Sequence, residues 1–113
     1  MDAGERWRQR WHEISVRAEE LKDSPGAIPA LYAAYRTIEA RDRTMVDAVI
    51  AEAVESDDAT ERFDALALVD EFRITVAVPY LARLAERLKT VDSPGAPFER
   101  EKVNRILQQL GTP

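Results

Sequence analysis

Carboxylates are the side chains from which this chain could build a site, since it carries 21 Asp and Glu in 113 residues. Glu52 and Glu55 lie one helical turn apart, and Asp57 and Asp58 are adjacent, so either pair could hold a hard cation. Neither pair has the loop spacing that wraps calcium, and carboxylates on a helix surface are ordinarily solvated charge. Residue types exclude much other chemistry. With no cysteine there is no disulfide, thiolate metal site or cysteine nucleophile. His12 is the only histidine, so a Ser–His–Asp triad would need it with Ser15, Ser24, Ser56 or Ser93, and no local pattern supports one. The four glycines are scattered at turns and ends, and neither HExxH nor G-x-S-x-G occurs. The expectation is therefore no enzyme, no cofactor and no metal.

The acidic residues are unevenly placed. Residues 1–36 hold six basic and six acidic side chains, residues 37–72 three and eleven, and residues 73–113 seven and four. Negative charge is thus concentrated in the middle third of a chain whose net charge is −5. Such a stretch repels a phosphate backbone and suits a protein partner with a basic surface. Asp47, Glu52, Glu55, Asp57, Asp58 and Glu61 are the expected partner-binding patch. An acidic face also speeds encounter with a basic partner. One form of this is an immunity- or antitoxin-like protein that masks a basic toxin. The alternative is a homo-oligomer joined through the Trp7/Trp11 helix, or through Tyr80, Arg83 and Arg87, because these residue types dominate interface energies. Arg6, Arg8, Arg10 and Arg17 beside the tryptophans are too isolated a footprint for nucleic acid on an acidic protein.

These residues must be carried by helices. Trp7, Trp11, Ile14, Ala18 and Leu21 fall within one arc at about 100° per residue, which predicts a helix over 3–22 with both tryptophans on the core. Asp23-Ser24-Pro25-Gly26 ends it and starts a second helix over 28–40, with Ile28, Leu31, Tyr32, Tyr35 and Ile38 on its buried face and the two tyrosines expected at the rim of the core, where their hydroxyls can find partners. A third helix over 44–55 buries Met45, Val46, Val49, Ile50, Ala53 and Val54. The fourth, over 60–73, is capped by Asp58 or Thr60 and is apolar over a wide arc that includes Phe63, Leu66, Leu68, Val69 and Phe72. Such a helix is expected to be central. The fifth, over 75–91, has a cleaner Ala77/Leu81/Leu84/Leu88 face, with Pro79 in its first turn where the missing N–H costs least. The last, over 97–110, buries Val103, Ile106, Leu107 and Leu110 and stops at Gly111. Thr112 and Pro113 are expected to fray.

Short strings recur. Ala27-Ile28-Pro29-Ala30-Leu31 matches Ala77-Val78-Pro79-Tyr80-Leu81, and Asp23-Ser24-Pro25-Gly26-Ala27 matches Asp92-Ser93-Pro94-Gly95-Ala96. The first string, opening a helix after another apolar helix, resembles the HEAT-like (armadillo-type) helical repeat, best over 62–88 and less well over 27–54. The resemblance implies a short right-handed helical array that binds other macromolecules, with the first and last helices as caps, since a solenoid needs about three units to bury its faces. A five- to six-helix antiparallel bundle is the competing all-α arrangement.

At 45% hydrophobic and 33% charged residues, the chain can bury a core and remain soluble. Its length predicts a single all-helical domain over 1–113. No apolar run approaches the roughly 20 residues of a membrane span. The charged start, MDAGERWRQRWHE, is unlike a secretory signal, so a cytoplasmic address is expected.

Overall fold

The computed structural model describes residues 1–21 and 26–111. It is all-α, with six α-helices, two short 3-10 turns and no strand among the described residues. The helices are α1 (Ala3–Glu20), α2 (Ile28–Arg36), α3 (Arg43–Ala53), α4 (Ala59–Phe72), α5 (Val78–Leu88) and α6 (Ala96–Gly111). The 3-10 turns are Ala40–Asp42 and Thr75–Ala77. No described helix is long and apolar enough to cross a membrane. The expected turn at Asp23-Ser24-Pro25 and the expected frayed residues Thr112 and Pro113 lie outside the described residues. The chain divides into two compact units, Met1–Val49 and Ile50–Pro113, the division falling within α3.

In the first unit, Asp2 caps α1 by accepting from the Glu5 N–H at 2.8 Å. Trp7, Trp11 and Ile14 then point inward at helical spacing and are buried. The Trp7 ring meets Trp11 and, edge to face, Tyr35 of α2, each at 6.2 Å between centroids. Gly4 lets α1 run close to α3, because a Cβ there would come within 3.1 Å of Val49 Cγ2. The expected second helix over 28–40 stops at Arg36. The Thr37 hydroxyl donates to the Ala34 carbonyl at 2.7 Å, competing with the helical ladder, and a 3-10 turn follows. Leu21 and Met45, expected in the core, are exposed. Leu21 lies past the end of α1, and Met45 sits in the first turn of α3, where it is 52% exposed although Val46 and Val49 are buried.

In the second unit, α5 presents Leu81, Leu84, Ala85 and Leu88 as one buried face, and α6 packs on it with Val103 and Ile106 buried. Helix α5 begins after the Thr75–Ala77 turn with Pro79 in its first turn, and it ends at Leu88 rather than at 91. Helix α4 buries Ala65, Leu66, Leu68 and Val69. Its orientation departs from expectation: Phe63 is 55% exposed, whereas Asp64 is only 4% exposed.

Helix α4 ends on Arg73, whose φ of 55° and ψ of 53° are left-handed. The Val69 carbonyl accepts from the N–H groups of both Arg73 and Ile74, so the chain can turn sharply and bury Ile74. A Cβ is strained in this conformation. Arg73→Gly is therefore expected to raise stability by about 0.5–1 kcal/mol. A higher urea midpoint would bear this out; a lower one would show that the arginine side chain stabilises the corner by more than the strain costs.

Candidate functional site

The six carboxylates expected to form one acidic face have different fates. Asp47 is turned into the first unit, where its half-buried carboxylate accepts from the Tyr35 hydroxyl at 2.7 Å. Glu52 is exposed near the end of α3. Glu55, Asp57, Asp58 and Glu61 gather at the corner joining α3 to α4. Asp58 caps α4 by accepting from the Thr60 N–H at 2.9 Å. Glu61 accepts from the Ser56 hydroxyl, whose oxygen in turn accepts from the Asp58 N–H at 3.1 Å. Asp57 is fully exposed.

The corner is a mixed charge cluster, because arginines distant in sequence fold back onto it. Arg83 of α5 donates to Glu55 at 2.7 Å. Arg87, one turn later, donates to the main-chain carbonyls of Glu55 and Ser56 at 3.0 and 3.2 Å. Arg62 of α4 donates to the carbonyls of Ser56 and Asp57 at 3.0 and 3.3 Å. The rest of the Arg62 fork grips both oxygens of Glu99, on α6, at 2.7 and 3.1 Å. The Arg62 and Glu99 side chains are only 13% and 22% exposed. Three of the five carboxylates, Glu55, Asp57 and Glu99, thus pair with guanidiniums, Asp57 at 3.9 Å from Arg87, and the connection between α3 and α4 is tied by its backbone to two arginines.

The Glu99 hydrogen bond and charge, more than burial, set the guanidinium of Arg62, holding it protonated beyond its already high ordinary value. Tyr35 and Asp47 respond differently. Burial is the largest effect on both groups and raises both pKa values. For Tyr35, the Asp47 carboxylate adds to the rise, against a smaller opposing effect of Arg43. For Asp47, the Tyr35 hydrogen bond and Arg43 offset part of it.

No protein-family model, curated protein or solved structure matches this chain. Its chemistry must therefore be read from its own residues. Among the described residues, no group of three or more His, Asp or Glu is arranged to hold a metal ion. A groove of about 470 Å³ in the first unit, between α1 and α2, is lined by Arg10, Glu13 and Arg17 over an apolar floor. Among the described residues that line it, no nucleophile stands beside a base. The Trp7/Trp11 surface considered as an oligomer seam is interior, since both rings are buried. Of the Tyr80/Arg83/Arg87 set, both arginines are committed to the corner, and Arg83 also lies 4.7 Å over the Tyr80 ring.

Sequence reasoning missed the Arg62–Glu99 pair and the exposure of Phe63 and Phe98. The partners of the ion pair are 37 residues apart, so no local spacing announces them. Removing Glu99 leaves a largely buried guanidinium with half of its hydrogen bonds. Glu99→Ala is expected to cost about 2 kcal/mol, below the figure for a fully buried pair. Chemical denaturation checks this, and a loss under about 0.5 kcal/mol would place the pair among ordinary surface bridges.

The Tyr35 proton gives a pH test. The folded state retains it above the ordinary phenol value of 10.0, where the unfolded chain releases it, so this group's contribution to stability declines as pH rises past 10. Tyr35→Phe is expected to cost about 1 kcal/mol near neutrality. That deficit should shrink in denaturation curves taken above pH 10; a deficit independent of pH would contradict the assignment.

Proposed function

We propose that this protein is a non-enzymatic protein-binding module that recognises a basic partner at the acidic corner between α3 and α4. The observation that supports this reading is the clamped backbone of residues 55–57. Arginine forks from α4 and α5 hold its carbonyls, while Asp57, Asp58 and Glu61 remain exposed. Ordering a loop before binding removes an entropic cost that a flexible acidic loop would meet on association. The charge of the second unit favours the same sign of partner, with eight basic and twelve acidic residues over 50–113. Asp47, bound to Tyr35 in the first unit, is dropped from the contact patch; Glu52 and the corner carboxylates remain in it.

The α4–α5 pair, with Pro79 opening the second helix, is compatible with the HEAT-like resemblance, and binding rather than catalysis is what that resemblance implies. Within this class we favour a cytoplasmic protein of immunity or antitoxin type, which masks a basic toxin, and the alternative is a more general adaptor.

The double reversal Asp57→Lys and Glu61→Lys tests the reading directly. Both side chains are exposed, but Glu61 accepts from Ser56 and Asp57 lies 3.9 Å from Arg87, so a denaturation curve of the variant is taken alongside to show that the fold is kept. Affinity for a lysine-rich probe peptide at low salt is expected to fall about tenfold or more, and wild-type binding should weaken steeply as salt is added. Unchanged affinity at low salt would remove the corner as the binding surface.

A further inference from the structure

Arg83 uses its guanidinium differently from the other arginines of the corner. Arg62 and Arg87 reach main-chain carbonyls. Arg83 instead meets two side chains. Its Nε donates to Glu55 Oε1 at 2.7 Å, its Nη2 lies equally close to that oxygen, and its guanidinium carbon sits 4.7 Å over the Tyr80 ring. A carboxylate beside an aromatic face is a pairing that receives a guanidinium, by a charge-assisted hydrogen bond on one side and a cation–π contact on the other. Helical spacing sets Tyr80 and Arg83 side by side on α5, whereas Glu55 comes from 28 residues earlier in the chain. The fold therefore assembles the ring and the carboxylate into one place.

The resident guanidinium is exchangeable. The Arg83 side chain is 57% exposed and that of Glu55 30%. Exposed ion pairs add little to stability. The main-chain bonds that hold residues 55–57 come from Arg62 and Arg87, so Arg83 can swing out without releasing the loop. The charges around the site favour another cation in its place. Glu52, Asp57, Asp58 and Glu61 are the nearby acids. Of the cations, Arg62 is met by Glu99, Arg87 by two carbonyls and Asp57, and Lys89, later on α5, by Glu86. Withdrawing Arg83 thus opens the Glu55 carboxylate and the Tyr80 face together. We infer that Glu55 and Tyr80 are a receptor for an arginine side chain of the basic partner, and that Arg83 holds this receptor closed in the free protein. This rests on the proposed acidic corner and adds the residue type that the corner selects. While Arg83 is seated the receptor is filled, so the partner's affinity is lowered in proportion to the fraction of molecules that are open.

Two peptides of equal length and charge test this on the full chain, one arginine-rich and the other lysine-rich, with a denaturation curve for every variant. Arg83→Ala removes a positive charge, so both peptides should bind tighter, but the arginine peptide should gain about fivefold more than the lysine peptide. Adding Tyr80→Leu should erase that difference. Arg83→Lys keeps the charge and loses the fork, so it should give part of the same arginine preference. Equal gains for the two peptides, with the Asp57/Glu61 reversal still weakening both, would overturn the receptor and leave the acidic corner standing. Weaker binding by a stably folded Arg83→Ala variant would make Arg83 a support of the corner rather than its cover, also against the inference. If Arg83→Ala unfolds, Arg83→Lys decides, and no arginine preference there overturns the receptor. If the Asp57/Glu61 reversal changes neither affinity, corner and receptor fall together.

Discussion

Arg62 is the side chain on which the second unit depends. It donates to Glu99 through two nitrogens and to two carbonyls through a third, and so binds α4, α6 and the approach to α4 in one group. Only a planar fork can do this; a lysine ammonium could not meet both Glu99 oxygens and the loop in one geometry. Carrying the charge inward is costly, and it is tolerated because the carboxylate and the carbonyls replace the lost water. The pair also determines what is left outside. With Arg62 and Glu99 turned toward each other, Phe63 and Phe98 beside them stay on the surface.

Charge in this protein has to be counted in space. The stretch 37–72 is strongly acidic along the chain, yet Arg83 and Arg87 come from the following third and settle on Glu55 and its neighbours. What remains outside is a smaller, more ordered negative surface. Its carboxylates are partly occupied with capping α4 and bonding Ser56. Long-range attraction for a basic partner survives this pairing, because the unit as a whole keeps an acidic excess.

The first unit is built on different physics. Trp7, Trp11 and Tyr35 fill its interior with large rings at edge and tilted angles. The Tyr35 hydroxyl finds an acceptor in Asp47, whereas the Trp7 Nε1–H has none among the described residues. An unmet indole donor costs about 1–3 kcal/mol, so the ring must be retained there for its volume and apolar area. Asp47 shows how a surface-looking acid can be diverted. A tyrosine twelve residues earlier reaches it, and burial then makes its charge a burden.

Periodicity alone placed the helices, because apolar side chains at three- and four-residue spacing can share a face only in an α-helix. It also put both tryptophans inside and identified the buried row Leu81, Leu84 and Leu88 on α5, while residue type named Asp58 as one of two caps of α4. It failed at α4, where apolar residues encircle the helix and no single face dominates; the phase that buries Asp64 and exposes Phe63 was decided by packing. It also could not see which carboxylates would be free. Asp47, Glu55 and Glu99 meet their partners across 12, 28 and 37 residues. Helical spacing is a property of neighbours along the chain, but charge pairing follows distance in space, so only the tertiary structure separated the acids that hold the fold from those that face outward.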